Sequence, residues 1–268
     1  MTDDAQFRAL LGKIARDRAF ACAHYKDTCL RRRIAARLRA RGVHSYAEYA
    51  QVLDADAGEY DTLIDALTIN VTRLFRNWET YAAVARTVIP ALWAQPAPSI
   101  HVWSAGCATG DEAYSLAILF HRHATRLGQM GRASRVRVLG TDIDRASLAA
   151  AERGSFTEPA FAETPPELRA AYFSHTTPAR IVPTVHAMTR FERRDILSDP
   201  PPPNQHVICC RNVIIYFQRA AQEELLPRLH AALVPNGYLV LGKVEMLFGA
   251  ARSLFAPVDA RARVFQRI

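Results

Sequence analysis

Apolar residues recur at helical spacing from residue 4 to residue 94, and from residue 100 onward short apolar runs alternate with helical stretches. In the first part Leu30, Ile34 and Leu38 form a stripe at i, i+4 spacing, and Gly42 stops that helix. Further helices are predicted over 45–54, 57–69 and 77–94, the last capped by Asn77. The Gln-Pro-Ala-Pro segment at 95–98 breaks the pattern and reads as a boundary between a helical domain, 1–94, and a second domain, 95–268. Beyond it the pattern predicts a strand at 100–104, a helix at 111–127, a glycine-containing loop at 128–134, a strand at 136–141 and a helix at 145–153. A strand at 206–210, a helix at 219–233, a strand at 237–242 and a last strand near 262–267 follow. Strands alternating with crossover helices predict the α/β class with a parallel sheet. Between 154 and 190 the rhythm fails, and prolines mixed with short β-branched runs read as a small inserted subdomain.

Half of the 268 residues are hydrophobic, enough for a large core. No apolar run approaches the roughly 18 residues of a membrane span, and the acidic start Met-Thr-Asp-Asp-Ala is unlike a secretory signal, so a cytoplasmic protein without membrane insertion is expected. Cys22, Cys29, Cys107, Cys209 and Cys210 are an odd number without a Cys-x-x-Cys pair, which argues against disulfides and against a metal site. The net charge is +8, and residues 1–50 hold nine Arg and two Lys against four Asp and one Glu. Arg31, Arg32, Arg33, Arg37 and Arg39 crowd the helix that carries the Leu30 stripe, a face suited to an acidic partner.

The chemistry concentrates where strands end. Val102-Trp-Ser-Ala-Gly-Cys-Ala-Thr-Gly-Asp-Glu112 runs from a strand through a turn with Gly106 and Gly110 into acids that open a helix. Such glycines let a nucleotide-like group lie against bare backbone. Gly-x-x-x-Gly lacks the close glycine pair that cradles a pyrophosphate, and Asp111 and Glu112 repel phosphate from the helix start. A nucleoside bearing a cationic or amino group fits better, and S-adenosylmethionine is the common one. At the end of the second strand Asp142 is placed for a ribose hydroxyl, and Asp144 for capping the next helix. Phe191-Glu-Arg-Arg-Asp-Ile-Leu197 ends a third strand with Asp195, which suits either the adenine edge or a surface turn. Arg211 and Asn212 end the fourth, and Tyr216 reaches the same crevice or packs in the core. Upstream, Asn70, Thr72 and Arg76 are polar groups that helix packing alone does not require; Arg76 could grip a carboxylate or make a surface ion pair.

In combination these segments resemble the CheR family of chemotaxis-receptor methyltransferases. The resemblance rests on Cys29-Leu-Arg-Arg-Arg-Ile-Ala-Ala-Arg-Leu38, the Asn-x-Thr-x-x-Phe-Arg segment 70–76, Trp103 to Ser115, Thr141-Asp-Ile-Asp144 and Cys210-Arg-Asn-Val-Ile-Ile-Tyr-Phe217, in order along nearly the whole chain. It implies a Rossmann-like S-adenosylmethionine-dependent methyltransferase sheet, a helical N-terminal domain and a small inserted β subdomain. Asn70, Thr72, Arg76, Gly106, Asp111, Glu112, Asp142, Asp195, Ile196, Arg211 and Asn212 would line the cofactor, with S-adenosylhomocysteine as product. Tyr216 would position the acceptor, and the arginine helix would engage the cytoplasmic helical domain of a chemotaxis receptor rather than nucleic acid. The implied reaction esterifies receptor glutamates. An ionised carboxylate needs no general base, in keeping with the lack of any His/Asp or Cys/His pair to nominate.

The chain departs from the family pattern at Asp111 and Ala113 (usually Glu and Pro), Leu74 (usually Phe), Asp195 (usually Asn) and Gly242-Lys-Val-Glu245 (usually Gly-His-Ser-Glu). No glycine occurs between 155 and 190, which points to an enzyme that does without a receptor C-terminal tether. Asn77-Trp-Glu-Thr-Tyr81 resembles the tether pentapeptide itself but reads as a helix start. Three other readings remain: a non-catalytic module that binds the cofactor or its product, a methyltransferase for another acidic or small substrate, and an RNA methyltransferase. The last is disfavoured because the fourth strand lacks an Asn-Pro-Pro-Tyr type of end.

Overall fold

The computed structural model describes residues 2–268 except Ala19, Ile69, Asn70, Val71 and Ala97. The chain forms two compact units, one of residues 1–69 with 216–222 and the other of residues 70–215 with 223–268. No helix among the described residues is long and apolar enough to cross a membrane.

In the helical unit, α1 (Asp3–Arg18), α2 (Asp27–Arg41), α3 (Tyr46–Ala55) and α4 (Ala57–Leu67) pack through Phe7, Leu10, Ile14, Leu30, Ile34, Tyr49 and Leu63. Gly42 takes a left-handed φ of 67° and closes α2 through its N–H to the Arg39 and Leu38 carbonyls. Ser45 caps α3 and Asp56 caps α4. The arginines of α2 do not form the open binding face that their spacing predicts. Arg37 grips the buried Glu59 with two hydrogen bonds of 2.9 and 2.8 Å, and Tyr49 donates its hydroxyl to the same carboxylate at 2.5 Å. Arg31 lies over the Phe7 ring and pairs with Asp3 and Asp4, while Arg33 donates to the carbonyls of Ala66 and Thr68. These three therefore fasten α2 to its neighbours, and of the five predicted partner-binding arginines only Arg32 and Arg39 stand exposed.

In the other unit, α5 (Trp78–Ala83), a π turn (Val84–Val88) and α6 (Ile89–Ala94) form one rod before β1 (Ile100–Ala105). The division of the chain consequently lies at 69/70 rather than at the 95–98 prolines. Tyr81, Val84, Val88, Ile89 and Leu92 of this rod are buried in the same core as the strands, so a loop-like composition marks a connection here and not a unit boundary. The chain continues through α7 (Asp111–Arg126), α8 (Met130–Ala133), β2 (Val136–Asp142), α9 (Arg145–Arg153) and the insert. The insert contains β3 (Ser155–Phe156), α10 (Pro166–Tyr172), β4 (Ala179–Arg180) and α11 (Pro183–His186), with β3 and β4 antiparallel. Then come β5 (Thr189–Arg193), β6 (Gln205–Cys210), α12 (Arg219–Ala232), β7 (Leu233–Leu241), β8 (Phe255–Asp259) and β9 (Val264–Arg267).

The main sheet has the order β5-β2-β1-β6-β7-β9-β8, with β5, β2, β1, β6 and β7 parallel and β9 antiparallel to both of its neighbours, β7 and β8. Strand order reverses at β1, which lies between β2 and β6, and a ligand crevice forms outside the carboxyl ends at such a point. The hairpin β8–β9 replaces the single final strand expected near 262–267. Pro257 hides β8 from its sequence, because proline is tolerated there only on a sheet edge, and β8 is the edge.

Glu59 is 2% exposed, and its charge depends on its partners. Arg37→Ala is therefore expected to lower unfolding free energy by about 3 kcal/mol in a denaturant titration, whereas Arg32→Ala changes it by less than about 0.5 kcal/mol.

Candidate functional site

The carboxyl ends of β1, β2, β6 and β7 bring together residues far apart in the sequence. Gly106 leaves β1 at φ 78°, where a Cβ would meet Val213 Cγ2 at 2.5 Å. Gly110 at φ 87° precedes α7, and a Cβ there would lie 2.9 Å from that of Ala151. Both glycines are required by backbone conformation and by close approach. The turn is tied to β2. The N–H groups of Gly106 and Cys107 donate to the Thr141 carbonyl, and that of Ala108 donates to Asp142 Oδ2 at 2.8 Å.

Asp142 accepts a second bond on Oδ1 from the Asp144 N–H at 3.1 Å. A carboxylate has about four lone-pair positions, so its ribose-hydroxyl role remains open to it while it fixes the glycine turn. Burial pushes its carboxyl above the usual range, against the pull of the Asp144 and Ala108 amides. Asp144 caps α9 by accepting from Ala146 N–H and Ser147 Oγ, as its position before the helix predicts.

Asp111 and Glu112 open α7 and are both buried, and desolvation raises both carboxyls. They differ in their partners. Glu112 accepts from Ser104 Oγ at 2.8 Å and faces Arg211 Nη1 at 3.4 Å. Asp111 accepts from Thr109 Oγ1 at 2.6 Å and has no ion pair among the described residues. Asp111 is thus the acid at this turn whose charge no side chain matches.

Arg211 at the end of β6 is buried and committed. Its guanidinium donates to Tyr81 Oη at 3.1 Å, to the Arg76 carbonyl at 2.8 Å and to Asn77 Oδ1 at 3.4 Å, and it faces Glu112. It therefore fastens segment 74–81 to α7. The same segment is held from its other side by Ser115, whose Oγ accepts the Phe75 N–H at 2.8 Å and donates to the Asp111 carbonyl. Leu74 N–H donates to Ala160 and Asn77 N–H to Glu163 of the insert. Asn77 begins α5 with φ 60°, but its side chain does not cap the helix as predicted; its oxygen serves Arg211 instead. Thr72 and Arg76 are half-buried on this held segment, and Asn70 lies outside the described residues.

The remaining predicted residues divide. Asn212 has φ 60°, and its N–H is held by Glu245 Oε2 at 3.0 Å. Asp195 caps its own turn, accepting from Leu197 N–H and Ser198 Oγ, with its N–H on Asp199. The surface-turn reading therefore describes its side chain, and Ile196 beside it is half-buried. Tyr216 groups with the helical unit, where its carbonyl accepts the Lys26 N–H at 2.9 Å and its phenol faces Arg33.

Sequence reasoning noticed Glu245 only as part of an altered run. Its buried carboxylate accepts the N–H groups of Gly242, Asn212 and Val213, and so joins the ends of β6 and β7. Lys243 and Val244, which depart from the family pattern, are exposed, and Lys243 pairs with Glu79 at 3.1 Å.

A bare backbone at Gly106, a carboxylate with spare lone pairs at Asp142 and an unmatched buried acid at Asp111 suit a nucleoside whose tail carries positive charge. Comparison with known proteins agrees. Residues 70–264 match the model described as CheR methyltransferase, SAM binding domain, and residues 5–68 match that described as CheR methyltransferase, all-alpha domain. The chain is 35% identical over 247 residues to an uncharacterized 104.1 kDa protein of Rhodobacter capsulatus, covering 91% of this chain but 26% of that one. It is 31% identical to a chemotaxis protein methyltransferase of Listeria innocua, with 69% of each chain covered. It is 30% identical to the protein of the same description from Klebsiella aerogenes, over 94% of this chain and 87% of that one.

Because Gly106 has both a positive φ and no room for a methyl group, Gly106→Ala is expected to cost about 2 kcal/mol of stability and to abolish nucleoside binding. Thermal unfolding with and without S-adenosylhomocysteine measures both: the variant should melt lower and gain no protection from the ligand.

Proposed function

Since the chain belongs to the CheR methyltransferase family and is an S-adenosylmethionine-dependent methyltransferase, we propose that it esterifies glutamate side chains of chemotaxis receptors. The observation that carries this reading is the make-up of the crevice: buried acids and bare backbone for the methyl donor, and, among the described residues, no side-chain pair arranged as a general base. Bound S-adenosylmethionine supplies an electrophilic methyl group on a sulfonium sulfur. The chain's own residues bind, orient and exclude water. Gly106 admits the nucleoside to the main chain, Asp142 accepts from its ribose, and Asp111 offers charge to its cationic tail. Arg211, Ser115 and Glu245 hold these elements in register. The acceptor carboxylate is ionised near neutral pH, so no side chain has to take a proton from it. Receptor contact falls to the exposed Arg32 and Arg39 of α2, and Tyr216 serves as the positioning residue for the acceptor. The insert, which has no glycine between 155 and 190 and whose strands β3 and β4 are two residues each, supports action without a receptor tether.

Incubation with methyl-labelled S-adenosylmethionine and receptor cytoplasmic fragments tests the reading. Label on the fragment that alkali releases as methanol is the expected result; base-stable label, or cofactor binding without any transfer, overturns it. Tyr216→Phe is expected to lower turnover on the fragment and leave cofactor affinity unchanged.

The raised carboxyls of Asp111, Glu112 and Asp142 set a pH dependence. A cationic ligand favours their ionised forms, so affinity should rise with pH through the raised values and level off above them, with protons released on binding. Calorimetric titration in two buffers of different ionisation enthalpy detects that release. Without ligand the sign reverses. A carboxyl that holds its proton longer in the folded state contributes stability that declines as pH rises from the unfolded value through the folded one. Asp111→Asn should weaken S-adenosylmethionine about tenfold or more and reduce the proton release.

A further inference from the structure

The excess charge that the sequence places in the N-terminal helices is largely matched there by Asp3, Asp4, Asp27, Asp56 and Glu59. The unmatched charge lies elsewhere. Between Glu79 and Asp142 the only acids are Asp111 and Glu112, and both are buried at the glycine turn. The same stretch carries Arg86, Arg122, Arg126, Arg132, Arg135 and Arg137. Arg86 pairs with Asp259, and none of the other five forms an ion pair among the described residues.

These five lie where α7 ends, α8 turns and β2 begins, at the end of the parallel strands opposite the glycine turn. Sixteen residues of α7 separate the two places, about 24 Å at 1.5 Å per residue. Trp93 organises the corner. Arg132 lies over its ring at 4.9 Å, the His123 ring stands edge-on to it at 5.2 Å, and its indole N–H donates to Gln129 at 2.6 Å. In this corner burial, and to a lesser degree the neighbouring Arg126 and Arg132, push His123 below its ordinary pKa. Within the same corner Leu127 and Met130 are 51% and 41% exposed.

We propose that this α7–α8–β2 corner is a docking surface for an acidic protein segment that presents apolar side chains among its carboxylates. Charge complementarity selects the acid, because holding like charges together without a counter-charge is unfavourable and an anionic partner relieves it. Leu127 and Met130 add the apolar contact that a purely electrostatic surface lacks. Nucleic acid is the poorer occupant: no aromatic side chain is among the exposed large apolar residues of the described chain, so the corner offers no stacking platform. Two apolar side chains are likewise little for insertion into a bilayer. The surface is separate from the methyl-transfer crevice and would recruit or orient a partner without entering the reaction.

The probe is a labelled synthetic amphipathic helix of Glu and Leu, titrated by fluorescence anisotropy at low and high salt. Saturable binding that salt weakens is expected, and Arg126→Glu with Arg135→Glu should reduce affinity about tenfold or more. Leu127→Ser should reduce it a few-fold, and S-adenosylmethionine affinity and melting temperature should stay unchanged in both variants. The proposal is overturned if charge reversal leaves peptide affinity unaltered, or if Arg32→Glu with Arg39→Glu on α2 abolishes binding instead. It also fails if a DNA duplex or phosphatidylserine vesicles bind through these arginines and the peptide does not.

Discussion

The buried guanidinium of Arg211 is the interaction on which the site depends. A charge cannot be kept in an apolar interior without partners, and each partner of Arg211 belongs to a different piece of the crevice. Glu112 brings in the first turn of α7, the Arg76 carbonyl and Asn77 bring in the segment before α5, and Tyr81 brings in α5 itself. Breaking any of these contacts leaves a buried polar group unsatisfied, so the parts share one geometry. That segment could not otherwise hold its shape, since Phe75 and Asn77 both have positive φ. In this sense Arg211 shapes the strand-end region through the residues it holds, although its place at a strand end suggests direct contact with a ligand.

Glu245 does for β6 and β7 what Arg211 does for α5 and α7. Its carboxylate collects the amide N–H groups of Gly242, Asn212 and Val213 from two strand ends, and this permits the left-handed conformation of Asn212. Burial raises the Glu245 carboxyl while those amides lower it, and burial prevails. The same competition governs Asp142. Buried carboxylates thus have two uses here, as internal fasteners at Glu245 and Glu112 and as groups with capacity left over at Asp111 and Asp142. Which use applies is decided by how many donors already point at each oxygen.

Much of this was legible in the sequence. The alternation of strand and helix survives because buried parallel strands give continuous apolar runs and their helices do not. Asp144 as a cap and Gly106 and Gly110 as turn residues follow from local rules that tertiary structure has no reason to override. Other features were not legible because they depend on partners distant in the chain. The prolines at 95–98 imitate a domain boundary, yet the apolar face of 78–94 decides where that rod packs. Asp195 and Asp142 both follow strand ends, and only their hydrogen bonds distinguish a turn cap from a carboxylate that braces the glycine turn. Tyr216 is five residues from Arg211, but the intervening turn carries it into the contacts of the helical unit.

Charge shows the same limit most clearly. A sequence count locates cations and leaves their partners unknown, so a run such as Arg31-Arg32-Arg33 has the same weight whether its side chains meet water or carboxylates. In the fold Arg31 pairs with acids and Arg33 meets backbone carbonyls, while Arg32 between them is exposed. The α7–α8–β2 corner has the opposite history. Its arginines are spaced through apolar helix and strand and form no conspicuous run, yet the lack of exposed acid from residue 80 to residue 141 leaves them uncompensated. The field outside a protein follows from unmatched charge, and matching is a property of the fold. Hence the net charge of +8 predicts that acidic partners are attracted, and the paired and unpaired arginines decide where they are met.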